Sequence, residues 1–404
     1  MDIDKVINIE DLRRCAKRRL PRGAFDFIEG GVEDERCIVR NEQAFREIRL
    51  VPRYFVDVSK PMQATSIFGQ HYDSPFGIAP TGTAGSWRPK GDEMLAAAAA
   101  ASNIPFILSH MATSSIETLV KIAPNNMWFQ LYPPRDRFIG ERFIGRVRDL
   151  GVKTLVVTVD CPVYIKRERN LRNGFDWPLR LTPSVILDGL LHPAWLVEYL
   201  LSSGGAPQLG NWAAYAGEGA SWEDIAAFAA TQRPAPEYSW TDLEGYRKLW
   251  PGNLVVKGIM HPGDAVRAAD IGVDGLIISN HGGRQLDSAP ASIEMLPAIR
   301  AAVGNRVTLM IDGGIRRGSD ILAALALGAE FAFVGRATLY GMAAFGPPGA
   351  AKAIDILRSE VDLNMRQLGY PTLQMFRSEV LTISPYLPMV LSTEEKEKVS
   401  VRKT

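Results

Sequence analysis

The stretch GLIISNHGGRQLD, residues 275–287, joins an apolar run to an abrupt group of polar residues. GLII has the uninterrupted hydrophobic character of a parallel strand that is buried on both faces. The polar part contains two glycines, which allow a tight turn or a close approach of the backbone to another group. A turn needs glycine, but it does not need a histidine and an arginine three residues apart. The stretch therefore predicts a buried strand that ends at a functional site.

The same pattern, a short apolar run that ends in polar residues, occurs eight times along the chain. Six of the seven steps between these ends are 21–31 residues long, which accommodates one strand and one helix. Helix-like segments lie between the runs, and those at 261–272 and 318–329 are predicted to stop at a glycine. Eight such units predict an α/β protein with a (β/α)8 TIM barrel, whose active site lies at the carboxyl ends of the strands. The runs are PFGIAPT (75–81), IPFILS (104–109), MWFQLY (127–132), TLVVTVD (154–160), NLVVKG (253–258), GLIISNH (275–281), TLMIDGG (308–314) and FAFVGR (331–336).

The remaining sequence falls into segments around this barrel. Residues 1–74 are expected to form an amino-terminal lobe of helices and extended segments, and residues 75–385 the barrel. The exceptional step of 97 residues follows Asp160 and contains an insertion at about 175–235, rich in Trp, Pro, Gly and Leu. Long irregular stretches inside a domain are usually functional or mobile. Residues 386–404 are expected to form a charged, frayed tail.

Composition excludes several classes of protein. The net charge of +1 gives no basic field for nucleic acid. The three cysteines, Cys15, Cys37 and Cys161, form neither a disulfide framework nor a close zinc spacing, so we expect a reducing compartment and no resident metal. The amino terminus does not resemble a signal peptide, and no uncharged apolar run is long enough for a spanning helix.

Two glycine-rich turns predict a phosphate site. DGGIRRGSD (312–320) follows the seventh run and VGRATLYG (334–341) contains the end of the eighth. Such turns expose backbone N–H groups, the following helix presents its positive end, and arginines can add bidentate donors. A phosphate site after strands seven and eight recurs in this fold. The alternative is a pair of tight turns with solvated arginines.

Lys257 ends an otherwise apolar run, which predicts an ammonium group facing the barrel mouth. Lysine is seldom fully buried without an anionic partner. Beside a flavin it would stabilise the negative charge that develops on reduction. The alternatives are a Schiff-base lysine, as in barrel aldolases, and a surface lysine at a frayed strand end.

His281 and Arg284 suit chemistry on a 2-hydroxy acid. A guanidinium group can hold the carboxylate, and an imidazole that titrates near neutrality can remove a proton. Asp160 could orient the imidazole, Tyr132 offers a hydroxyl and Arg167 a second cation. The alternative is a histidine that caps a turn while Arg284 pairs with Asp287 at the surface.

Taken in order from LPRGAFDFIEGGVEDE (20–35) through WFQLY, VTVD, LVVKG, SNHGGRQLD and DGGIRRG to VGRATLYG, these motifs resemble the FMN-dependent L-2-hydroxy-acid oxidase and dehydrogenase family. Within it, VILDGLLHPAW, PQLGNW, SWTDLEGYRKLWP and GRATLYG are most similar to the mandelate dehydrogenase branch. The resemblance implies oxidation of an (S)-2-hydroxy acid to the 2-oxo acid.

The resemblance also implies residue roles. His281 would be the base, Arg284 the carboxylate clamp, Asp160 the partner of His281, and Tyr132 and Arg167 further substrate contacts. Lys257 would lie at flavin N1. The other expected FMN contacts are Pro80, Thr81 and Gly82 at the isoalloxazine, Ser109, Gln130, Thr158 and Ser279 at its polar edges, and Asp312, Gly314, Arg316, Gly335 and Arg336 around the ribityl-phosphate.

Two departures from the family pattern bear on the substrate. Phe27 occupies the position of a tyrosine that helps to bind the substrate carboxylate, and Met111 the position of a tryptophan in glycolate oxidase. The missing hydroxyl removes a hydrogen bond of about 1 kcal/mol, and methionine favours a larger, adaptable apolar pocket. Both changes favour a bulky or aromatic substrate such as mandelate.

The insertion bears on the electron acceptor. KRERNLRNGFDWPLR (166–180) carries a net charge of +3 and precedes the apolar VILDGLLHPAWLVEYLL (185–201). This pattern favours a peripheral membrane segment at about 180–215, and in this family such a segment implies a quinone acceptor at the cytoplasmic side of the inner membrane. The alternative is a lid on a soluble cytoplasmic enzyme.

Three other functions remain open from the sequence. They are a soluble 2-hydroxy-acid oxidase that gives hydrogen peroxide, an FMN barrel without net oxidation such as an isomerase, and a flavin-binding interaction protein without turnover. The family often forms homotetramers. The sequence does not distinguish hydride transfer from a carbanion mechanism.

Overall fold

The computed structural model describes residues 2–174, 182–202 and 207–386. The part that precedes the barrel is largely helical because its helices are amphipathic: in the first long helix Ile9, Leu12 and Ala16 are buried while Glu10 and Lys17 are exposed. Its elements are a 3-10 helix Ile3–Lys5, α1 (Ile9–Arg19), α2 (Arg22–Glu29), α3 (Arg36–Arg46), β1 (Arg49–Val51), β2 (Thr65–Ile67) and β3 (Gln70–Tyr72).

Eight parallel strands close into a barrel in the order β10-β11-β4-β5-β6-β7-β8-β9. Each of these strands lies within one of the eight predicted runs, except that β8 extends one residue further, so the TIM-barrel prediction is confirmed. The strands are apolar on both faces because helices cover the outside and the barrel interior is packed with side chains. They are β4 (Phe76–Ile78), β5 (Phe106–Ser109), β6 (Met127–Leu131), β7 (Thr154–Thr158), β8 (Asn253–Ile259), β9 (Gly275–Ile278), β10 (Thr308–Asp312) and β11 (Phe331–Val334).

Helices connect the strands and surround the barrel. They are α4 (Gly91–Ala101), α5 (Ile116–Ile122), α6 (Arg137–Asp149), α7 (Glu168–Asn173), α8 (Pro183–Leu190), α9 (Pro193–Leu201), α10 (Trp222–Thr231), α11 (Trp240–Leu249), α12 (Pro262–Ile271), α13 (Ser292–Val303), α14 (Gly318–Ala326), α15 (Arg336–Phe345), α16 (Pro347–Leu368) and α17 (Leu373–Glu379). Short 3-10 helices occur at Ala84–Ser86 and Ala213–Tyr215, and β12 (Leu381–Ile383) pairs antiparallel with β1.

The predicted glycine stops are only partly correct. Gly272 caps α12 in the left-handed conformation, at φ +86°. By contrast, α14 ends at Ala326 with Leu327 as its cap, so Gly328 lies beyond the helix end. The predicted tail lies almost wholly outside the described residues, which end at Tyr386.

The amino end of the barrel is plugged by the β2–β3 hairpin. Tyr72 is buried there, accepts a hydrogen bond from the Trp128 indole at 3.3 Å and packs edge-on against Phe331. Phe68, at the hairpin turn, lies 5.6 Å from the Trp128 ring. Aromatic side chains thus fill the amino end of the barrel. The open cavity lies at the opposite end, where the polar side chains follow the carboxyl ends of the strands.

The insertion after β7 divides into two parts that contact the barrel differently. Asn211 donates to the carbonyl of Ser109 at 3.0 Å and accepts from the backbone of Ile116 at 2.9 Å, both within the barrel wall. Helix α9 is held instead by Glu198, which pairs with Arg19 and Arg88. The two parts are thus fixed by polar contacts at separate places.

His110, next to the end of β5, anchors the second part of the insertion. Its ring is buried, stacks on Trp212 at 4.6 Å and meets Phe143 edge-on at 4.3 Å. Burial among these rings lowers the pKa of His110 to about 3. The imidazole is therefore neutral over the whole physiological range.

Acidification is expected to destabilise the fold through His110. The unfolded chain binds a proton at this imidazole below its ordinary pKa of about 6.5, whereas the folded chain binds it only near pH 3. The free energy of unfolding should therefore fall as the pH drops from 6.5 towards 3, by up to roughly 1.4 kcal/mol per pH unit. Urea denaturation between about pH 7 and pH 5 measures this slope.

The variant His110→Phe provides the control, because it keeps a ring in the aromatic contact and cannot bind the proton. In this variant the free energy of unfolding should change less steeply with pH, by the amount that corresponds to the uptake of one proton. Other groups that titrate on folding, such as the buried Asp92 with its pKa raised to about 6, are present in both proteins and cancel in the difference. Equal slopes in the two proteins would contradict the assignment.

Candidate active site

His281 and Asp160 meet at the carboxyl end of the barrel. His281 follows β9 and Asp160 follows β7, and the imidazole Nδ1 lies 2.9 Å from the carboxylate Oδ1. The other ring nitrogen, Nε2, is 3.3 Å from the hydroxyl of Tyr132. His281 adopts the left-handed conformation, at φ +58°, which is uncommon for a residue with a Cβ. The orientation of the imidazole therefore depends on an unfavourable backbone conformation in the SNHGG turn.

The ionisation of this group suits a base. Burial lowers the pKa of His281 below its ordinary value, although the Asp160 carboxylate opposes this shift. Burial also raises the pKa of Tyr132 well above its ordinary value, so the phenol stays protonated. With Nδ1–H donating to Asp160, the neutral imidazole presents the Nε2 lone pair to the cavity. The site thus holds a proton acceptor beside a hydroxyl.

Arg284 is partly buried beside the base and points towards the amino-terminal lobe. Its Nη1 donates to the carbonyls of Phe27 and Gly30 at 2.9 and 2.7 Å. Burial, together with the positive charges of Arg167 and Arg336, lowers the pKa of Arg284 well below its ordinary range. A guanidinium remains charged in such surroundings. The cluster of cations therefore favours the binding of an anion.

Phe27 lies between two of these cations. The guanidinium carbon of Arg284 is 5.3 Å from the centre of the Phe27 ring, and that of Arg167 is 5.8 Å away. Both distances are typical of cation–π contacts. The ring thus helps to position both guanidinium groups, an arrangement that its sequence position did not indicate.

The alternative in which Arg284 pairs with Asp287 at the surface is wrong. The Asp287 carboxylate is buried and accepts from the backbone of Cys37 at 2.9 Å and from Arg36 at 3.4 Å. It joins helix α3 to the loop after β9. Arg284 is consequently available to the cavity.

Lys257 is buried at the base of the cavity, so the alternative of a surface lysine is wrong. Its ammonium donates to Ser279 Oγ at 2.8 Å and lies 3.1 Å from Asp312 Oδ2. Burial alone would lower the pKa of Lys257, but Asp312 and Asp160 raise it above its ordinary value. A Schiff-base lysine requires a depressed pKa, so this environment disfavours that alternative.

Several buried polar atoms lack a partner among the described residues. They include Gln130 Nε2, Thr158 Oγ1 and Asp312 Oδ1. Orphaned buried polar groups are rare and each one needs an explanation. Thr158 is the last residue of β7 and Gln130 the second to last of the neighbouring β6, and Gln130 Oε1 accepts from Ser109 at 3.2 Å. A bound molecule with polar edges would satisfy these atoms.

The predicted phosphate end lies on the far side of the same cavity. Gly314, at φ +84°, packs so closely that an added Cβ would lie 2.2 Å from the carbonyl of Asn41. Arg316 pairs with Glu42 at 3.1 Å. The side chain of Arg336 donates to the carbonyls of Ile28, Gly282 and Gly30 rather than extending freely, and Arg336 is the first residue of α15. Arg336 therefore ties the two lobes together as well as lining the cavity.

Most of these groups line one cavity, which also includes residues that the sequence analysis missed. The predicted residues Pro80, Thr81, Gly82, Met111 and Gly335 line it. Asp160, Ser109, Gln130, Thr158 and Ser279 were predicted for the site but are not among the lining residues. Cys161 and Gln285 were missed although they directly follow or lie within quoted motifs. Residues of the loop after β7 and of the second part of the insertion were missed because neither has a regular sequence pattern; they are Val163, Tyr164, Ile165, Trp212, Ala229, Ala230, Gln232, Arg233 and Pro234.

Comparison with known proteins identifies the family. Residues 16–383 match the family described as FMN-dependent dehydrogenase. The chain belongs to the FMN-dependent dehydrogenase family. The resemblance read from the motifs is thereby confirmed, and FMN is the cofactor of this family.

Two relatives and one solved structure give the context. The chain is 40% identical to (S)-mandelate dehydrogenase of Pseudomonas putida, over 93% of this chain and 94% of that protein. It is 37% identical to an L-lactate dehydrogenase of a Caulobacter species, over 92% and 97% of the two chains. A crystal structure of monotopic membrane (S)-mandelate dehydrogenase superposes with a TM-score of 0.88 at 39% identity, covering 93% of this chain and 99% of that one.

The residues of the cavity, together with Gln130 and Thr158 next to its lining, fit FMN. The orphaned atoms of Gln130 and Thr158 supply hydrogen-bond groups for the polar edges of a flavin, and Lys257 supplies a buried positive charge. The glycine turns after β10 and β11 supply backbone donors near Arg316 for a phosphate. When bound, FMN supplies a two-electron acceptor, and the protein supplies orientation and electrostatics.

Thr158→Val is predicted to weaken FMN binding without lowering the stability of the apoprotein. The orphaned hydroxyl is expected to bond to the cofactor, so its loss should raise the Kd for FMN roughly 5- to 15-fold, as for one buried hydrogen bond. In the apoprotein the same change removes a buried, unsatisfied group and should leave the melting temperature unchanged or raise it. Fluorescence titration of the apoprotein with FMN, and thermal melts, measure the two effects.

Thr154→Val is the matched control, because Thr154 is a buried threonine on the same strand. Its Oγ1 accepts from Asn253 at 3.2 Å, so this hydroxyl, unlike that of Thr158, already has a hydrogen-bond partner within the protein. This variant should lose stability and keep its FMN affinity. If both variants behave alike, Thr158 has no special relation to the cofactor.

Proposed function

We propose that this chain oxidises an (S)-2-hydroxy acid with a bulky or aromatic side chain, such as mandelate, to the 2-oxo acid with FMN as the cofactor. The reduced cofactor would then pass its electrons to a membrane quinone. The observation that carries the proposal is the pair of His281 and Asp160, 2.9 Å apart, with His281 in the FMN cavity beside the partly buried Arg284 and Arg167. A binding protein without turnover needs no oriented base.

Each side chain has a distinct task in this proposal. Arg284 and Arg167 hold the substrate carboxylate, because a guanidinium fork matches its two oxygens. His281 Nε2 accepts the proton that the substrate loses on oxidation, and Asp160 stabilises the imidazolium that forms. Tyr132, which remains protonated, donates a hydrogen bond near the same atoms. Lys257 stabilises negative charge on the cofactor.

The apolar wall of the cavity supports a bulky substrate. Phe27 and Met111 replace the larger or more polar groups expected at their positions, and Val163, Ala229 and Ala230 extend the wall. Burying an aromatic ring there would contribute roughly 2 kcal/mol, or about 30-fold in kcat/KM, relative to a substrate without a side chain. The similarity to (S)-mandelate dehydrogenase supports the same class of substrate.

Anaerobic titration of the holoenzyme with a panel of 2-hydroxy acids tests this function. Mandelate and 4-hydroxymandelate should bleach the flavin fastest, lactate more slowly and glycolate slowest, because apolar burial decreases in that order. Stopped-flow absorbance of the flavin measures each rate. A flavin that no member of the panel bleaches would contradict the proposal and favour an isomerase-type barrel or a binding protein.

His281→Asn separates catalysis from binding, because asparagine tolerates the left-handed backbone at this position. Flavin reduction should slow on the order of 10²- to 10⁴-fold, the usual contribution of a general base, while FMN remains bound. His71→Gln, at an exposed histidine on β3, is the control and should keep full activity. Rapid reduction in His281→Asn would remove His281 from the mechanism.

The helix pair α8–α9 supports a peripheral membrane contact and hence the quinone acceptor. Leu190, Leu191, Leu200 and Leu201 are 60–80% exposed, which is an unusual concentration of apolar surface. Among the residues that the structure describes, none of the helices combines the length and apolar character needed to cross a bilayer. The pair would therefore lie in the interface plane.

Polar contacts fix the opposite side of this helix pair to the protein. Asp188 accepts from the backbone of Gly23 at 3.1 Å, Glu198 pairs with Arg19 and Arg88, and the Tyr199 hydroxyl donates to the carbonyl of Gly85. A lid that closed over the cavity would turn its apolar side inward. Here the leucines face away from the body of the protein. This orientation favours a membrane-binding segment over a lid for this part of the insertion.

Replacing the four leucines by glutamine is predicted to weaken membrane binding strongly. Each exposed leucine contributes roughly 1 kcal/mol to interfacial binding, so the quadruple variant should partition into vesicles about 10³-fold more weakly. Co-sedimentation with liposomes that contain anionic lipid measures the effect. Anaerobic flavin reduction should be unchanged, whereas reduction of a liposome-embedded quinone should fall.

A matched control replaces exposed apolar residues elsewhere, in the variant Ile7→Gln/Val39→Gln/Leu363→Gln. These side chains are 53–76% exposed and lie outside the insertion. This variant should keep its vesicle affinity. Turnover with oxygen that matches the rate of flavin reduction, together with unchanged partition of the quadruple variant, would favour a soluble oxidase.

A further inference from the structure

We propose that Asp160, Cys161 and His281 form an inhibitory binding site for a thiophilic divalent cation such as Zn²⁺. Cys161 directly follows Asp160 after β7, and its Sγ lies 3.4 Å from Asp160 Oδ1 and 3.6 Å from His281 Nδ1. One ligand atom of each residue lies within 4.8 Å of the others. His281 is 120 positions away from Cys161 in the chain, so cysteine spacing could not reveal this cluster.

The separations of the three atoms fit a metal ion. A tetrahedral zinc ion with bonds of about 2.0–2.3 Å holds neighbouring ligand atoms roughly 3.3–3.7 Å apart. Both distances from the sulfur fall in this range. The distance from Asp160 Oδ1 to His281 Nδ1, at 2.9 Å, has to open by a few tenths of an ångström. Little rearrangement is therefore needed.

The donor set selects the class of cation. One thiolate, one imidazole and one carboxylate are ligands of Zn²⁺ and its softer relatives, whereas Mg²⁺ and Ca²⁺ prefer oxygen atoms alone. The thiol is accessible, because Cys161 lines the cavity and is only partly buried. The cation would reach the site by the route that the substrate uses.

Two neighbouring groups favour a ligand at this point. Asp160 Oδ2 is shielded from solvent and has no hydrogen-bond partner among the described residues, so a cation would satisfy a carboxylate that is only half used. The Gln285 amide Nε2 lies 2.7 Å from Cys161 Sγ. Reversal of this amide would direct Oε1 towards the same point and offer a fourth ligand, and a water molecule is the other source.

The binding step balances without any redox change. The cation forms bonds to the Cys161 sulfur, to Asp160 and to His281 Nδ1. The thiol proton is released to solvent, and the imidazole proton moves from Nδ1 to Nε2 because Nδ1 now binds the metal. No electrons are exchanged, so removal of the cation by a chelator restores the original state.

Inhibition follows from the position of the imidazole proton. His281 Nε2 is the nitrogen that faces Tyr132, at 3.3 Å. Once this nitrogen carries the proton, it has no lone pair to accept another from the substrate. Asp160 is also withdrawn from its partner. This consequence rests on the proposed role of His281 as the base, whereas binding of the cation does not.

Titration of the FMN-loaded enzyme with ZnCl2 and CdCl2 tests the site. Isothermal titration should give one equivalent of Zn²⁺, and Cd²⁺ should produce the ultraviolet absorption of a cadmium–thiolate bond. Flavin reduction should slow in proportion to occupancy and recover with EDTA, and MgCl2 should have no effect. In Cys161→Ser the cadmium–thiolate absorption should vanish and the Kd for Zn²⁺ should rise at least roughly tenfold.

Two controls exclude adventitious binding. Cys15→Ala removes a buried thiol elsewhere, and His71→Gln removes an exposed imidazole, so both variants should bind Zn²⁺ as the parent does. Unchanged affinity in Cys161→Ser, or a cadmium complex without thiolate absorption in the parent, would overturn the site. Stoichiometric binding that depends on Cys161 but leaves flavin reduction unchanged would uphold the metal site but overturn its inhibitory effect, and with it the role of His281 as the base.

Discussion

The closure of the eight-stranded barrel is the constraint on which the site depends. Because β7, β8 and β9 pair in parallel, Thr158 is the register partner of Lys257, and Lys257 that of Ile277, just before the SNHGG turn. A slip of one residue in either ladder would reverse the faces of the strand and turn Lys257 out of the barrel. Strand pairing alone thus brings residues that are more than a hundred positions apart in the sequence to one site.

The protonation states in the site depend on the different charged groups that surround Lys257 and His281. Lys257 keeps its charge although it is buried, because Asp312 is 3.1 Å away. His281, which is partly buried, stays neutral because desolvation outweighs the effect of Asp160. Two basic groups on the neighbouring strands β8 and β9 and the turn that follows therefore hold opposite protonation states at neutral pH. This difference allows one to stabilise negative charge while the other accepts a proton.

The sequence predicted the barrel because each strand is a local apolar run and each site residue follows one. His281, Asp160 and Lys257 could be named for this reason alone. Cys161 could not, because its relation to His281 depends on which strands are neighbours in space. The contacts of Arg336 with the carbonyl oxygens of Ile28 and Gly30 were missed for a similar reason, since they join the barrel to the amino-terminal lobe.

The sequence described the insertion only by its amino-acid composition, whereas the structure shows two parts with different contacts. Composition showed that it was apolar, but not which side of α8 and α9 faces outward. That orientation is set by single polar residues, Asp188 and Glu198, which bind the body of the protein. The part around Trp212 is different in kind, because it packs against His110 and lines the cavity. A periodic pattern would have been needed to distinguish the two parts.

The left-handed backbone of His281 also limits how this protein can change over evolutionary time. Branched and bulky side chains are strongly disfavoured at φ +58°, so most single-codon replacements would damage the turn. Asparagine, aspartate and glycine fit the conformation with less strain than histidine. With His281 as the proposed base, genetic drift at this position is therefore expected to yield folded proteins that bind FMN but do not turn over.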